Sequence, residues 1–332
     1  MDHRVMERPM LDRVLVTGMG GELGTRVTNL LEASPEVGAI VGIDVDPPRR
    51  RIPRAEFHRI DLRDRARVTA LVREFDPVAV LHLGVYEPNA RSAPAAARAS
   101  TAAAALHALG AAAQCPSLQR IVVRSGIEVY GRGRGAATRP DESVVPAPTS
   151  DFGRSLLGME GVAASAAAAA DVPMAAVRLA TVVGPHFPSP LGRYLRLPVV
   201  PVSGLSDLPF SLLHQDDAAT ALVAALGSGH DGPVNVVGAG AVTAVQAVRM
   251  GGRIPLPIVG PAWALARVAT ELLGVPLPDH VRELIVRGRT ADGGRAPELL
   301  GCSPARTTTE VVKELYDWAE VLYLDVAKRE AA

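Results

Sequence analysis

Three glycines at three-residue spacing, Gly18, Gly21 and Gly24, followed by an aspartate at position 44, carry the clearest chemistry in the sequence. Glycine at this spacing permits a tight turn, close approach of backbone to a pyrophosphate and close packing of the next helix on its strand. The phosphates then rest on that helix's N-terminus. Asp44 supplies the complementary group, because a carboxylate accepts both ribose hydroxyls of an adenosine and repels a 2′-phosphate. With Asp46 just beyond it, the pattern favours NAD. Arg49, Arg50 and Arg51 follow, and read either as a solvated basic loop or as a receiver for a 2′-phosphate, which keeps NADP as the less favoured alternative.

These residues work only if regular elements hold them. Val14 to Val16 is a continuous β-branched and aliphatic run ending at Thr17, the pattern of a buried parallel strand, and Ala39 to Ile43 repeats it before Asp44. Phe57 to Ile60 reads as a third strand, and Asp64 as the cap of a helix to about Glu74. The fourth strand is Val78 to Gly84, with His82 as a buried strand histidine and Gly84 leaving room beside a cofactor. Pro94 suits the first turn of a helix to Ala113, and a fifth strand ends at Ser125. Ser150 or Asp151 caps a helix through Ala170, and Pro173 to Ala180 is a sixth strand. Alternating strands and helices imply an α/β fold, a Rossmann-type doubly wound parallel sheet whose ligand lies at the strands' carboxyl ends.

From Gly184 to Leu208 the chain is loop-like and rich in proline. Phe210 to Leu213 then reads as a strand, Asp216 as a helix cap and Val234 to Val237 as another strand. The remainder reads as helical, its last helix opened by Thr307 and Glu310 at capping-box spacing. The expected division is a dinucleotide-binding domain over 1–183, completed by 209–240, and a smaller, mostly helical C-terminal substrate lobe from 184–208 and 241–330.

The 332 residues are 48% apolar with a formal net charge of zero, enough for a large core and without a nucleic-acid or anionic-membrane footprint. Cys115 and Cys302 form neither a metal spacing nor a disulfide framework, which suits the cytosol. The first dozen residues are charged and read as a tail, and the apolar stretch from Ile254 to Pro278 is too interrupted for a membrane span.

Taken together, Thr17-Gly18-x-x-Gly21-x-x-Gly24, Asp61-Leu62, Leu81-His82-Leu83-Gly84, Glu128-Val129-Tyr130-Gly131, Arg178 to Gly184-Pro185 and His214-Gln215-Asp216-Asp217-Ala218 resemble the extended short-chain dehydrogenases/reductases, in their order. The likeness is nearest to the NAD-dependent epimerase/dehydratase group acting on nucleotide sugars. It implies a cofactor-binding set of Gly18, Gly20, Gly21, Glu22, Leu23, Gly24, Asp44, Asp61, Leu62, Leu83 and Gly84. Asp61 reads either as a contact to the adenine edge or as a turn acid at the strand's end.

The same resemblance implies a Ser or Thr after the fifth strand and a Tyr-x-x-x-Lys pair on the next helix. An ammonium one helical turn from a phenol lowers its pKa from ~10 and lets it exchange a proton with substrate. In register with Val129-Tyr130-Gly131, those three positions are Gly126, Phe152 and Leu156, all chemically silent. No change of register helps, because the only lysines are Lys313 and Lys328, so no Tyr-x-x-x-Lys exists in the sequence. Ser125, Glu128, Tyr130, Tyr86 and Arg154 are the candidate substitutes, each also readable as structural: Tyr130 as a packed aromatic, Glu128 and Arg154 as an ion pair or surface charges.

Thr181 stands where many nucleotide-sugar members have asparagine, and Arg193 and Arg196 read as a diphosphate clamp or as surface arginines. The expectation is an NAD-binding protein with weak or altered family redox chemistry on a small-molecule substrate, a nucleotide sugar among the candidates. The alternative is a non-catalytic sensor of NAD or a metabolite. The alanine-rich helices from Ala95 to Ala113 and Ala163 to Ala170 resemble a family dimer interface and imply a homodimer.

Overall fold

The computed structural model describes residues 11–88, 93–185 and 187–317. The N-terminal tail, Lys328 and the part of the expected lobe beyond Asp317 lie outside the described residues. The first strand, β1 (Leu11–Thr17), lies inside a seven-stranded parallel sheet. It pairs on one side with β2 (Val37–Asp44) and through it β3 (Glu56–Arg59), and on the other with β4 (Ala79–His82), β5 (Arg120–Gly126), β6 (Met174–Leu179) and the edge strand Gly232–Val236. Strand order therefore reverses at β1, and the helices leaving β1 and β4 pass to opposite faces, opening a crevice above their carboxyl ends. Among the described residues, α1 (Glu22–Ala33) and the later helix Gln215–Gly227 cover one face of the sheet, and α2 (Arg65–Phe75), α3 (Pro94–Ala112) and α4 (Asp151–Ala170) the other. Ser150 caps α4, its hydroxyl accepting from the Gly153 N–H at 3.1 Å, and Asp64 caps α2, as their types predict.

Both faces of the central strands are apolar because both are covered. Val14, Leu15, Val16, Val80, Leu81, Ile121, Val122 and Val123 are fully buried in one cluster with the inner faces of α1, α3 and α4. Alanine fills most of the α3 and α4 positions in that cluster and lets these helices pack closely on the sheet and on each other.

A second apolar cluster gathers Tyr194, Leu195, Val200, Phe210, Val281, Leu284, Val311 and Leu315. Here two sequence readings need correction. The stretch from Gly184 to Leu208 is not all loop: it holds α5 (Pro190–Leu195) and a later strand, Val199–Ser203. Nor is the remainder all helical, since Ile254–Ile258 pairs in parallel with Val199–Ser203. Pro255 and Pro257 disguise it as a broken segment, yet in a two-stranded ribbon each strand is an edge, and an edge tolerates proline wherever its N–H would face away from the ladder. The helix Gln215–Gly227 is capped by His214 rather than Asp216, the His214 Nδ1 accepting from the Asp216 N–H at 3.2 Å. The last described helix, Thr308–Asp317, does carry the expected capping box of Thr307 and Glu310.

Candidate functional site: a crevice at the strand ends

The crevice over β1, β2 and β4 has a volume of about 620 Å³, within the range of small-molecule and cofactor sites. Its floor is the turn from β1 into α1. Gly18 has φ +76°, and a Cβ there would lie 2.9 Å from the Leu83 carbonyl, so the turn requires glycine. A Cβ on Gly24 would approach the Gly18 oxygen to 2.1 Å, so α1 packs directly on the turn. Gly21 differs: a Cβ there would meet only the Gly18 oxygen at 3.5 Å, an ordinary contact, and its open side faces the crevice. Packing does not demand glycine at this position, whereas a group lying against the backbone would.

Gly21 is also the N-cap of α1 and offers no side chain to the first-turn N–H groups, which stay available to an anion. Glu22 would oppose an anion there, but Arg26 holds its carboxylate at 3.0 Å and also pairs with Asp216. At the other end of the crevice the Asp44 carboxylate accepts from the Gly20 N–H at 3.0 Å and from the Val45 N–H at 2.7 Å. Burial pushes its pKa above the ordinary aspartate value, and these backbone N–H groups oppose the shift. Two fixed N–H groups leave acceptor positions on both oxygens, the arrangement a ribose diol needs.

Nine of the eleven residues expected from sequence line this crevice: Gly18, Gly20, Gly21, Glu22, Leu23, Gly24, Asp44, Leu83 and Gly84. Asp61 does not, because its carboxylate is turned to Arg63 at 2.5 Å. Leu62 is buried beneath the floor, where a Cβ on Gly84 would meet it at 2.8 Å. Of the three loop arginines only Arg49 reaches the lining, its N–H donating to Thr25 Oγ1. Arg50 and Arg51 are exposed.

Beyond β4 the crevice meets a second, much smaller cavity of about 20 Å³, room for about one water. Gly126, Phe152 and Leu156 come together around it with Ser125, Glu128 and Thr181. What fills that site was not foreseen. A Cβ on Gly126 would lie 2.3 Å from Glu128 Oε2 and 3.1 Å from Leu156 Cδ1, so the Glu128 carboxylate occupies the space a side chain at 126 would take. Glu128 is held by Arg289 at 3.1 Å and by the Thr181 hydroxyl at 3.3 Å, and Arg289 by Glu283 at 2.7 Å. The expected partnership of Glu128 with Arg154 is not formed. Arg154 is exposed at the N-terminus of α4, bonded to Asp151 at 2.7 Å, and lies outside the cavity.

The other candidates are equally committed. The Ser125 hydroxyl donates to Glu160 at 2.5 Å, and Glu160 in turn takes two hydrogen bonds from Arg178. The Tyr130 hydroxyl donates to Asn235 at 2.8 Å and accepts from Arg178 at 3.0 Å, away from the cavity. Tyr86 lines the crevice, but burial pushes its pKa up to about 12, the opposite of activation. His82, the last residue of β4, is fully buried and bonded to Thr17 Oγ1 at 2.7 Å.

Three residues at this junction escaped the sequence reading. Glu87 and Arg124 line both cavities, and His280, from the C-terminal region, bonds Glu87 at 2.9 Å while its ring packs 4.7 Å from Phe152. Glu87 follows β4 by a few residues and Arg124 lies near the carboxyl end of β5, so the strand ends were a signal. His280 and Arg289 carried none, since nothing local ties them to a site more than a hundred residues away. Arg196 is not a free clamp, because its guanidinium donates to the carbonyl of Leu315 at 2.9 Å and to that of Pro185. Among the described residues no cluster of three or more His, Cys, Asp or Glu could hold a metal, and no helix is long and apolar enough to cross a membrane.

The fold is that of solved sugar-nucleotide enzymes. UDP-glucose 4-epimerase of Thermotoga maritima, solved with UDP-glucose, superposes with a TM-score of 0.73 at 18% identity over 93% of this chain and 99% of that one. UDP-glucuronic acid 4-epimerase of Bacillus cereus, solved with NAD, gives 0.70 at 19% identity over 94% and 99%. A protein of Mycobacterium tuberculosis described as uncharacterised is 31% identical over 320 residues, 93% of this chain and 85% of that protein. The model of the "NAD dependent epimerase/dehydratase family" matches residues 14–238, the span from β1 through the edge strand of the sheet. With the glycine turn, Asp44 and the order of the sheet inside that span, the chain belongs to the NAD-dependent epimerase/dehydratase family.

Proposed function

We propose that the protein binds NAD along the crevice, that its physiological ligand is a small molecule of the nucleotide-sugar class, and that family redox chemistry is weak or altered. The pyrophosphate rests on Gly21 and the first turn of α1, and Asp44 takes the adenosine ribose and disfavours NADP. The nicotinamide supplies hydride exchange when the cofactor is bound. One observation carries the second half of this reading: Gly126, Phe152 and Leu156 surround a cavity of only about 20 Å³ whose lining carboxylates and hydroxyls are already paired. Without a positioned acid or base, turnover falls by on the order of 10²–10⁴.

That small volume also favours the second reading, a non-catalytic sensor of NAD or a metabolite. Solved relatives hold NAD with UDP-glucose or UDP-glucuronic acid, which makes these the first ligands to try. Titration calorimetry with NAD and NADP tests the cofactor; nicotinamide absorbance with UDP-glucose and UDP-glucuronic acid then separates the two readings. No NAD binding sinks both, and robust wild-type turnover defeats the sensor. The two thiols, free in the structure, fit action in the cytosol. A homodimer through the outer faces of α3 and α4 is part of the proposal: Gly110, Gly158 and Gly161 have open space there for a second copy's backbone. A monomeric mass by light scattering at micromolar concentration removes that part.

A further inference from the structure

Arg124 is the charged group at the junction that nothing described above explains. It lines the large crevice and the small cavity alike. Two residues along the same strand from Gly126, it projects from the same face of β5. Among the described residues it has no hydrogen-bond or ion-pair partner, whereas Arg178 and Arg289, the other arginines buried near this centre, each hold a carboxylate. Burial lowers the pKa of its guanidinium, and Glu87 and Glu128 oppose that shift, so its charged surroundings are at the far end of the crevice. β5 stands two strands from β1, and at about 4.8 Å per strand this puts Arg124 roughly 10 Å from the glycine turn. A dinucleotide anchored by Asp44 at one ribose and by the turn at its pyrophosphate must run across β4 to β5. Its second ribose then arrives where the unpartnered donors are.

We infer that Arg124 is a cofactor-anchoring residue whose guanidinium donates to the hydroxyls of the nicotinamide-side ribose, at the end of the crevice that has no lysine. This rests on the reading that the crevice holds NAD. A guanidinium suits the task because its five N–H donors lie in one plane and remain charged at any physiological pH. A diol can take two of them at once.

The experiment grows the ligand past the pyrophosphate: ADP, which ends there, against ADP-ribose and NAD, which carry the second ribose. Calorimetry on wild-type protein should show ADP-ribose binding at least about 10-fold tighter than ADP. In Arg124→Gln, affinity for ADP-ribose and NAD should fall roughly 10- to 100-fold, the scale of losing a charged hydrogen-bond partner. ADP affinity should stay within about twofold, which also shows the cradle folded. An equal loss for all three ligands would assign Arg124 to the pyrophosphate and overturn the inference, as would no loss for any of them. If Arg124→Gln does not fold, the wild-type series still decides: ADP-ribose no tighter than ADP sinks Arg124 as an anchor. Failure of wild type to bind NAD at all is a separate result, and it removes the proposed function itself.

Discussion

The carboxylate of Glu128 stands in the space in front of Gly126, so that a Cβ on the glycine would lie 2.3 Å from Glu128 Oε2. An absent side chain and a present one are thus a single arrangement. Arg289 fixes the glutamate from the far side, only 2% exposed and itself paired to Glu283. The space in front of Gly126 is packed around a buried ion pair that ties the end of the sheet to the C-terminal part of the chain.

Restoring the hydroxyl at position 126 should therefore cost stability. Gly126→Ser must displace a carboxylate that its arginine holds in place, and overpacking a tight site costs about 1–3 kcal/mol. Thermal melting should show Gly126→Ser well below wild type, with Glu128→Ala in the same chain recovering part of the loss. Additive losses in the two variants would contradict the shared space. Phe152→Tyr with Leu156→Lys is the pair that can supply proton transfer, since both positions line the same small cavity. Sugar-dependent change in nicotinamide absorbance, present in the double variant and absent from each single one, is the expected outcome.

Most of the nucleotide end was legible in the sequence because its determinants are local. A turn that needs positive φ at Gly18 and close packing at Gly24 writes both demands into a few consecutive residues, and Asp44 follows one strand later. Asp61 stayed open in the sequence because a strand-end acid has the same local signature whether it faces a ligand or, as here, Arg63. The reaction end was half legible. Its silent positions were countable from the sequence, but the residues that fill it, Arg289 and His280, arrive by tertiary packing with no periodicity to announce them. Prolines hid Ile254–Ile258 for a related reason, since tolerance of proline depends on which edge of a strand is paired.

Asp44 should make cofactor affinity depend on pH. Only the ionised carboxylate accepts from both ribose hydroxyls, and burial raises its pKa above the usual aspartate value. NAD binding should therefore weaken as pH falls through that raised value, at a higher pH than an exposed aspartate would give. Asp44→Asn should lower NAD affinity roughly 10- to 100-fold. It should also flatten the acid limb and narrow the gap between NAD and NADP. Calorimetry across a pH series reads all three. A variant that keeps the wild-type pH profile places the titrating group elsewhere.

His82 gives stability its own pH dependence beneath the same crevice. Burial depresses its pKa from 6.5 to about 4, so the folded chain holds it neutral where the unfolded chain would protonate it. Stability from this group is complete above pH 6.5 and is lost as pH falls towards 4, because over that window the unfolded state binds the extra proton. At about 1.4 kcal/mol per pH unit, a native chain at pH 5 should be about 2 kcal/mol less stable than at pH 7 on this account. Urea unfolding of wild type and His82→Gln at the two pH values isolates the effect, since every other titrating group is common to both. The variant should lose markedly less on acidification. Since His82 bonds Thr17, the residue that leads into the glycine turn, that lost stability should appear first as lost cofactor binding. Acid limbs of equal depth in the two proteins would show that the histidine is protonated in the native state, and the burial argument would fall with it.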